Sequence, residues 1–387
     1  MSQALPTQLR IHRSIRDIPR EAWNALVDPA SRPFVDHRYL SALEDSGCAR
    51  PASGFHARHL CIWQGNRLVA AAPAYVKDDA RGEFVFDGSW ATASERLGQR
   101  WYPKLVLGIP FTPATGRRFL VAQNEDAPAR RAQLLRGAIE FARSETLSSI
   151  HVHFQHPDEN LALEAEGFAL RYGVQYQWRN QGYASFEDFL ARFRSSRRTQ
   201  IRRERSAIAK AGITVRTLRG DALRSVTGAE MEALYVTTVN RNYGERFLNE
   251  AFFTALLREL PEHVEFTEAT KDGRRIAGAF NLSGDGALYG RYWGSFEHQP
   301  FLHFNVCLYH PIEECIARSV ARFEPGAGGE HKLTRGLPPS LTHSAHLVFH
   351  PVLDSAVRRY LESERAAILS GLPSWQSDTG LKAGGRA

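Results

Sequence analysis

Hydrophobic and polar positions in the first half of the chain follow two periods, one typical of strands and one typical of helices. Residues 59–63 and 68–76 form two apolar runs separated by a short turn with a glycine, which predicts a pair of strands. Apolar positions recur at helical spacing over 128–145, and an alternating segment follows at 149–154. The first half is therefore predicted to be mixed α/β.

The second half repeats this mixture in a similar order. Residues 185–211 have a helical pattern, and three strand-like segments follow at 262–270, 274–283 and 286–295. An Asp-Gly pair stands at each of the two junctions between these strands, which is a strong signal for tight hairpin turns. Strands joined by hairpins predict a mostly antiparallel sheet.

Length and element order together predict two domains of one α/β class. A chain of 387 residues exceeds the ~100–200 residues of one typical domain. We predict a first domain over 1–181, a second over 182–370 that begins with the helical segment 185–211, and a flexible tail over 371–387. Each domain is predicted to contain a mixed, mostly antiparallel sheet flanked by helices.

The composition indicates a cytoplasmic globular protein. Hydrophobic residues make up 43% of the chain and charged residues 24%, which is enough for a core and unlike a disordered chain. No stretch approaches the ~18–20 apolar residues of a transmembrane helix, and the first residues lack the apolar run of a signal peptide. The four cysteines form no C-x-x-C pair, which argues against a disulfide scaffold or a zinc ribbon.

The chain is basic, with a formal net charge of +7. Eight cations fall within residues 192–210 against the single anion Glu204, and Arg198 and Arg202 stand four residues apart on one predicted helix face. A face of like charges attracts a phosphate-bearing partner such as coenzyme A, an acidic acyl carrier protein or nucleic acid. The alternative is a basic helix that only water solvates.

Unusual motifs occur in both halves of the chain. They include GEFVFD (82–87), WYPKL (101–105), PFTP (110–113), YGRYWG (289–294) and GAGGEHK (326–332). In these motifs the chain resembles the FemAB-like family of peptidoglycan biosynthesis or recognition proteins, which are tandem versions of the GNAT acyltransferase fold. The resemblance spans nearly the whole chain and implies two GNAT-like domains and acyl transfer.

Acyl transfer to an amine needs a proton acceptor, donors for the tetrahedral oxyanion and a proton for the leaving group. Glu330, His331 and Lys332 place a carboxylate, an imidazole and an ammonium in consecutive positions, and Arg335 adds a second cation. His303 stands just before a predicted helix, and we expect its imidazole to face the same cleft. We predict these five residues as catalytic; the alternative is a solvated charged loop.

The motifs of the second half also supply candidate substrate contacts. Alternation along the strand 286–295 places three of them, two aromatic residues and an arginine, on one face. The resemblance implies an acidic residue at position 305, where Asn305 stands, and an amide accepts no proton at neutral pH. The predicted substrate-binding residues are Tyr289, Arg291, Trp293, Asn305, Glu324 and His346.

The glycine loop after Arg322 is a candidate phosphate-binding segment. It is similar, with one residue too many, to the (R/Q)-x-x-G-x-(G/A) loop with which GNAT folds cradle a donor's pyrophosphate. We predict Gly326 and Gly328 as contacts to the donor phosphates, together with Arg198 and Arg202 of the basic segment. The alternative is a strand that leaves the core and enters a glycine loop.

The 15 histidines include two close pairs, His151 with His153 and His343 with His346. Neither pair has the carboxylate or cysteine that would complete a recognisable ligand motif such as H-E-x-x-H. The sequence therefore predicts no bound metal, and it predicts no permanently bound cofactor.

We predict an N-acyltransferase that moves an acyl group from a thioester, either acyl-CoA or an acyl carrier protein, to a small-molecule or peptide amine. An aminoacyl-tRNA-dependent ligase acting on a peptidoglycan-type precursor is the first alternative. It ranks lower because the basic segment has no second antiparallel basic helix and no interleaved aromatic residues. A non-catalytic protein that recognises muropeptides or amines is the second alternative.

Overall fold

The computed structural model describes residues 6–28, 32–241, 244–284, 286–377 and 379–382. Its strands are β1 (Thr7–His12), β2 (Phe55–Ala57), β3 (His59–Gln64), β4 (Arg67–Ala72), β5 (Ala74–Lys77), β6 (Lys104–Leu107), β7 (Leu120–Val121), β8 (Ser149–His153), β9 (Ala169–Tyr176), β10 (Trp178–Arg179), β11 (Ile213–Leu218), β12 (Val264–Lys271), β13 (Arg274–Gly284), β14 (Ala287–Ser295), β15 (Arg322–Glu324) and β16 (Pro339–Val348).

Its α-helices are α1 (Arg20–Asn24), α2 (His37–Asp45), α3 (Gly88–Arg96), α4 (Ala127–Ser144), α5 (Asn160–Ala165), α6 (Phe186–Ala191), α7 (Ser195–Lys210), α8 (Gly228–Arg241), α9 (Glu250–Glu259), α10 (Leu302–Phe304), α11 (His310–Ala317) and α12 (Pro351–Ser377). A π-helical turn, Asn305–Tyr309, joins α10 to α11, and a 3-10 helix spans Glu330–Arg335. Within the described residues, no helix combines the length and apolarity needed to span a bilayer.

The chain forms two compact units. The first contains Met1–Gly173 and Leu341–Ile368, and the second contains Val174–Ser340 and Leu369–Ala387. The predicted division placed the segment from 341 onward in the second domain, but β16 pairs with β8 and so belongs with the first unit. The predicted tail 371–387 is corrected over its first seven residues, because α12 continues to Ser377, while 383–387 lie outside the described residues.

The first unit contains two sheets. One has the strand order β1-β3-β4-β7 and is antiparallel throughout, and the other has the order β2-β5-β6-β8-β16-β9 with a parallel pair at β6 and β8. Helix α4 packs its apolar face, including Leu134 and Leu135, into the core between these strands. Burying such a leucine stabilises the fold by about 1.5–3 kcal/mol. The helical period of 128–145 correctly predicts which face of α4 is buried.

The second unit contains one six-stranded sheet in the order β10-β15-β14-β13-β12-β11. Its strands are antiparallel except for β14 and β15, which are parallel and are connected through α10, the π-helical turn and α11. The turn between β12 and β13 has positive φ at Asp272 and Gly273, 49° and 75°, which confirms the predicted hairpin. Asp285 of the other predicted turn lies outside the described residues.

A buried ion pair connects the 3-10 helix of the second unit to α7. Nη2 of Arg335 donates to both carboxylate oxygens of Glu204 at 3.0 and 3.1 Å, and Nε donates to the Tyr309 hydroxyl at 2.8 Å. The Tyr309 hydroxyl in turn donates to Glu204, and the guanidinium lies 3.5 Å from the ring centroid of Phe304. Arg335 is therefore a structural cation, which corrects its predicted catalytic role.

We expect Arg335→Met to destabilise the protein by about 3–5 kcal/mol, because the change leaves the Glu204 carboxylate buried without a partner. Adding Glu204→Leu to this variant should restore most of the lost stability, since neither charge of the Arg335–Glu204 pair then remains. Urea unfolding of the full chain measures both variants.

The matched control is Arg202→Met on the same helix, where the guanidinium is exposed and pairs with Glu187. An exposed ion pair contributes little, so this variant should stay within about 0.5 kcal/mol of the wild type. If Arg335→Met were as mild as this control, the buried pair would not hold the 3-10 helix in place.

Candidate functional site

Strand β14 contains a bulge that decides which of its side chains share a face. Its pairing with β13 skips one residue, Arg291, between Gly290 and Tyr292. An extra residue moves every later side chain to the opposite face of the strand. Trp293 therefore shares a face with Gly290 and not with Tyr289, which corrects the prediction of a single aromatic and arginine face.

A small pocket opens beside this bulge, where the parallel pairing of β14 and β15 ends at Tyr289 and Glu324. Its volume is about 60 Å³, enough for a few water molecules, whereas sites for whole ligands measure roughly 300–1,000 Å³. In this form the pocket can admit one reacting group but not a carrier. Its lining residues are Ala279, Asn281, Gly290, Arg291, Tyr292, Trp293, His303, Cys307 and Pro325.

Lys332 places a buried ammonium next to the glycine loop that follows Pro325, one of the residues that line this pocket. Three glycines of the loop, at 326, 328 and 329, have φ of 87°, 70° and 85°, a region that favours glycine. Nζ of Lys332 donates to the Gly326 carbonyl at 2.8 Å, and no carboxylate of a described residue lies within 4.0 Å of Nζ. Burial lowers the pKa of Lys332 to about 8.

Two neutral imidazoles lie beside this lysine. The ring centroids of His303 and His331 are 5.5 Å apart, and His303 lies 4.6 Å from the ring of Trp293. Burial, with smaller effects of His331 and Lys332, lowers the pKa of His303 to about 3. Burial also lowers the pKa of His331, whose buried Nε2 has no hydrogen-bond partner among the described residues. His331 can therefore accept a proton at neutral pH.

Three predicted site residues make other contacts. Nδ2 of Asn305 donates to the main-chain carbonyls of Glu204 and Phe301 at 3.1 and 2.9 Å, so it supports the helix junction instead of a substrate. Glu330 is exposed at the start of the 3-10 helix, and Arg335 is engaged in its ion pair. Of the five predicted catalytic residues, the structure places His303, His331 and Lys332 together, and their catalytic role stays a prediction.

Tyr289 and Glu324 form an internal polar cluster instead of lining the pocket. The Tyr289 hydroxyl accepts a hydrogen bond from Arg322 at 3.0 Å, and Nε of Arg322 lies 2.9 Å from Oε1 of Glu324. Burial raises the pKa of Glu324, and the nearby Arg322 opposes this effect. These contacts correct the predicted substrate-binding role of both residues.

The two arginines predicted to bind donor phosphates differ in their contacts. Arg202 pairs with Glu187 at 2.5 Å, whereas the half-buried Arg198 forms no ion pair with any described residue. Near the pocket, the Gly326 carbonyl faces the Lys332 ammonium, and the space beside Gly328 is open. Arg198 thus has no ion-pair partner among the described residues and Gly328 faces open space, and phosphate binding by these residues stays a prediction.

His346 lies in the first unit, whereas the other predicted substrate-binding residues lie in the second unit. It is 1% exposed and contacts His151 and Trp90 with ring centroids 4.9 Å away in each case. β16 pairs with β8, and this pairing carries His346 into the core of the first unit. His346 is thus buried among ring side chains of the first unit, which does not support its predicted role in substrate binding.

Sequence reasoning missed Asn281, whose amide reaches the pocket and donates to the Thr267 hydroxyl at 3.2 Å. The available signal was a polar residue within the apolar run of β13, since a buried amide needs partners. It also missed a buried charge cluster in the first unit, in which Lys104 donates to Glu83 and Asp87.

Comparison with known proteins agrees with this architecture. The FemAB-like family, described as peptidoglycan biosynthesis/recognition, matches residues 14–383. The solved structure of FemX is similar with a TM-score of 0.52 at 13% identity, covering 92% of this chain and 100% of FemX. No curated protein matches the chain at a significant level.

A second similar structure is the C-terminal domain of a putative lysylphosphatidylglycerol synthetase from Agrobacterium fabrum. Its TM-score is 0.51 at 11% identity, and the match covers 90% of this chain and 96% of that domain. These likenesses bear on the fold alone, and the predicted α/β class, with mixed sheets flanked by helices in two units, is confirmed. The match over residues 14–383 shows the family: this chain belongs to the FemAB-like proteins of peptidoglycan biosynthesis and recognition.

Proposed function

We propose that the second unit transfers an acyl or aminoacyl group from an activated carrier to an amine, with Lys332 and His331 as the catalytic residues. The observation that carries this proposal is the buried Lys332 ammonium, which has no carboxylate partner among the described residues and lies beside neutral imidazoles. A buried charge without a counter-ion is costly, and such groups concentrate at functional sites.

Each group of the cluster has a chemical role in this transfer. The amine attacks the donor's carbonyl carbon, a C–N bond forms, and the C–S or C–O bond to the carrier breaks. His331 accepts the proton of the amine through its unpartnered Nε2, and the Lys332 ammonium stabilises the oxyanion and protonates the leaving atom. His303 stays neutral with its pKa of about 3 and packs between Trp293 and His331.

The family description supports a peptidoglycan-type amine as the acceptor. A thioester is the favoured donor, because the basic helix α7 already uses two of its arginines internally. Arg202 pairs with Glu187, and Arg205 pairs with Glu313, both at 2.5 Å. The remaining cations suit the few phosphates of coenzyme A or a carrier-protein arm better than a long polyanion.

An aminoacyl ester donor is the second candidate. The similarity to a putative lysylphosphatidylglycerol synthetase favours it, since that protein is named for a product with a lysyl group. Both candidates use the same carbonyl chemistry at Lys332, so they differ only in the carrier.

We expect Lys332→Met to abolish transfer and at the same time to stabilise the protein by about 1–2 kcal/mol at pH 7. The lowered pKa means that burying the charged ammonium costs on the order of 3 kcal/mol, of which the bond to Gly326 offsets a part. The cost is full below pH 8 and fades as pH rises towards the unfolded value of 10.5, so the stabilisation should fade with it.

The assay follows transfer of an acetyl group from acetyl-CoA to a synthetic peptide stem with a lysine ε-amine, with the product identified by mass spectrometry. Lys210→Met, at the exposed end of α7, is the control and should change neither rate nor stability. A destabilised Lys332→Met that still turns over would remove Lys332 from the mechanism.

The pH profile of kcat/KM should be bell-shaped. Lys332 must be charged to stabilise the oxyanion, so activity should fall as pH rises through about 8. His331 must be neutral, and its lowered pKa places the acid limb below pH 6.5. In Lys332→Arg the guanidinium stays charged but gives up no proton, so the rate should fall and the residual activity should lose its alkaline limb in the measurable range. An alkaline limb unchanged in this variant would assign it to another group.

Arg198→Ala should raise the KM for the donor about tenfold, because a charge-assisted contact to a phosphate contributes roughly 1.5 kcal/mol or more. Arg202→Ala is the matched control and should stay within about twofold, since Glu187 already engages that arginine. The opposite ranking would place the donor elsewhere on α7.

Turnover and binding of acetyl-CoA and of alanyl-tRNA, compared in the same assay, distinguish the two candidate donors. Turnover of alanyl-tRNA alone, with binding that weakens steeply between about 50 and 200 mM salt, selects the second candidate. Binding of the peptide stem without turnover of either donor contradicts catalysis and leaves a recognition protein.

A further inference from the structure

The first unit brings together three histidines that are distant along the chain. Strands β8 and β16 pair antiparallel with His346 opposite His151 and Ser344 opposite His153, so the three imidazoles lie on one face of the sheet. His151, His153 and His346 are 0%, 4% and 1% exposed. One nitrogen from each lies within 4.8 Å of the others, which is the spacing of a metal-ligand set.

Two of these rings face each other through their Nδ1 atoms, and this contact needs a hydrogen or a cation between the two nitrogens. Nδ1 of His151 lies 2.6 Å from Nδ1 of His346, while their Nε2 atoms contact the hydroxyls of Ser149 and Ser344 at 2.8 and 3.1 Å. Two nitrogen lone pairs that face each other repel, so either a proton or a metal ion must lie between them. An outer N–H held by a polar partner is the usual second contact of a metal-bound histidine.

Two buried carboxylates next to the histidines favour a cation. Lys104 donates to one oxygen of Glu83 and one of Asp87, which leaves Oε1 of Glu83 and Oδ1 of Asp87 buried without a hydrogen-bond partner among the described residues. Oε2 of Glu83 lies 3.9 Å from Nε2 of His153. These two oxygens are buried acceptors that a cation would engage.

The cations near the histidines already have partners. Lys104 donates to Glu83 and Asp87, and Arg171 is engaged by Glu364 at 2.8 Å. Arg118 donates to the main-chain carbonyls of His153 and Ala114 at 2.8 and 2.7 Å.

We propose that the first unit binds one divalent transition metal ion, Zn²⁺ under physiological supply, through His151, His153 and His346, with Glu83 as the fourth ligand. Imidazole and carboxylate suit Zn²⁺, which prefers four ligands in a tetrahedron. With Zn–N bonds of about 2.0–2.1 Å, the two Nδ1 atoms must separate to roughly 3.3 Å. Four protein ligands make a closed site, which stabilises the fold instead of activating water.

This site accounts for motifs that the candidate site of the second unit does not use. GEFVFD (82–87) supplies Glu83 and Asp87, and WYPKL (101–105) supplies Lys104, which holds both carboxylates beside the histidines. The proposal does not depend on the transfer reaction, because its measurements report metal content and stability.

The test uses the full chain, produced without a polyhistidine tag, stripped with a chelator and dialysed against Zn²⁺. We expect one tightly bound Zn²⁺ per chain, by elemental analysis, and a higher melting temperature in the presence of the ion. X-ray absorption at the zinc edge should show nitrogen and oxygen neighbours at about 2.0–2.1 Å and no sulfur at about 2.3 Å. A sulfur shell would assign the ion to cysteines and overturn the site.

Variants of one strand, β16, make the test specific. His346→Gln should remove tight binding, and Ser344→Ala, which removes only the outer partner of that ring, should weaken it about 10–100-fold. His343→Gln, on the same strand but outside the cluster, should bind as the wild type does. If the wild type takes up no Zn²⁺, a shared proton fills the gap between the rings and the proposal is wrong, whatever the folding of the variants.

Discussion

The buried ion pair between Arg335 and Glu204 sets the position of the candidate site in the second unit. It holds the 3-10 helix Glu330–Arg335 to α7, and that short helix also carries His331 and Lys332. A buried pair is stable only when both charges are present and fully hydrogen-bonded, and Tyr309 completes this requirement. Burying the Lys332 ammonium without a counter-ion costs free energy. The Arg335–Glu204 pair keeps Lys332 buried despite this cost, because it holds the short helix that carries Lys332.

The sheet of the second unit determines how a substrate can approach these groups. The bulge at Arg291 and the end of pairing between β14 and β15 leave a pocket of about 60 Å³. In the proposed transfer only the reacting carbonyl and amine would enter such a space, and the body of the carrier would lie outside it. The proposal therefore takes the binding energy of the carrier from surface cations such as Arg198 and assigns the chemistry to Lys332.

The two units bury lysines in different electrostatic settings. Lys104 in the first unit donates to the carboxylates of Glu83 and Asp87, each of which keeps one buried oxygen without a partner among the described residues. Lys332 in the second unit contacts a main-chain carbonyl and has no carboxylate partner among the described residues. Units of one fold class thus surround a buried lysine differently, because the fold specifies the framework and not the groups placed on it.

The sequence by itself determined the three strands β12, β13 and β14, the helix α4 with its buried face and the hairpin at Asp272, because these depend on neighbours within a few residues. It did not predict β9 or β16. Only the tertiary structure decided that Arg335 pairs with Glu204, 131 residues away, and that His346 meets His151 across 195 residues. Hydrophobic periodicity shows which face of an element is buried but not which element covers it. Strand order, register and bulges set those long-range contacts, and they settle whether a charged side chain becomes structural or stays free to react.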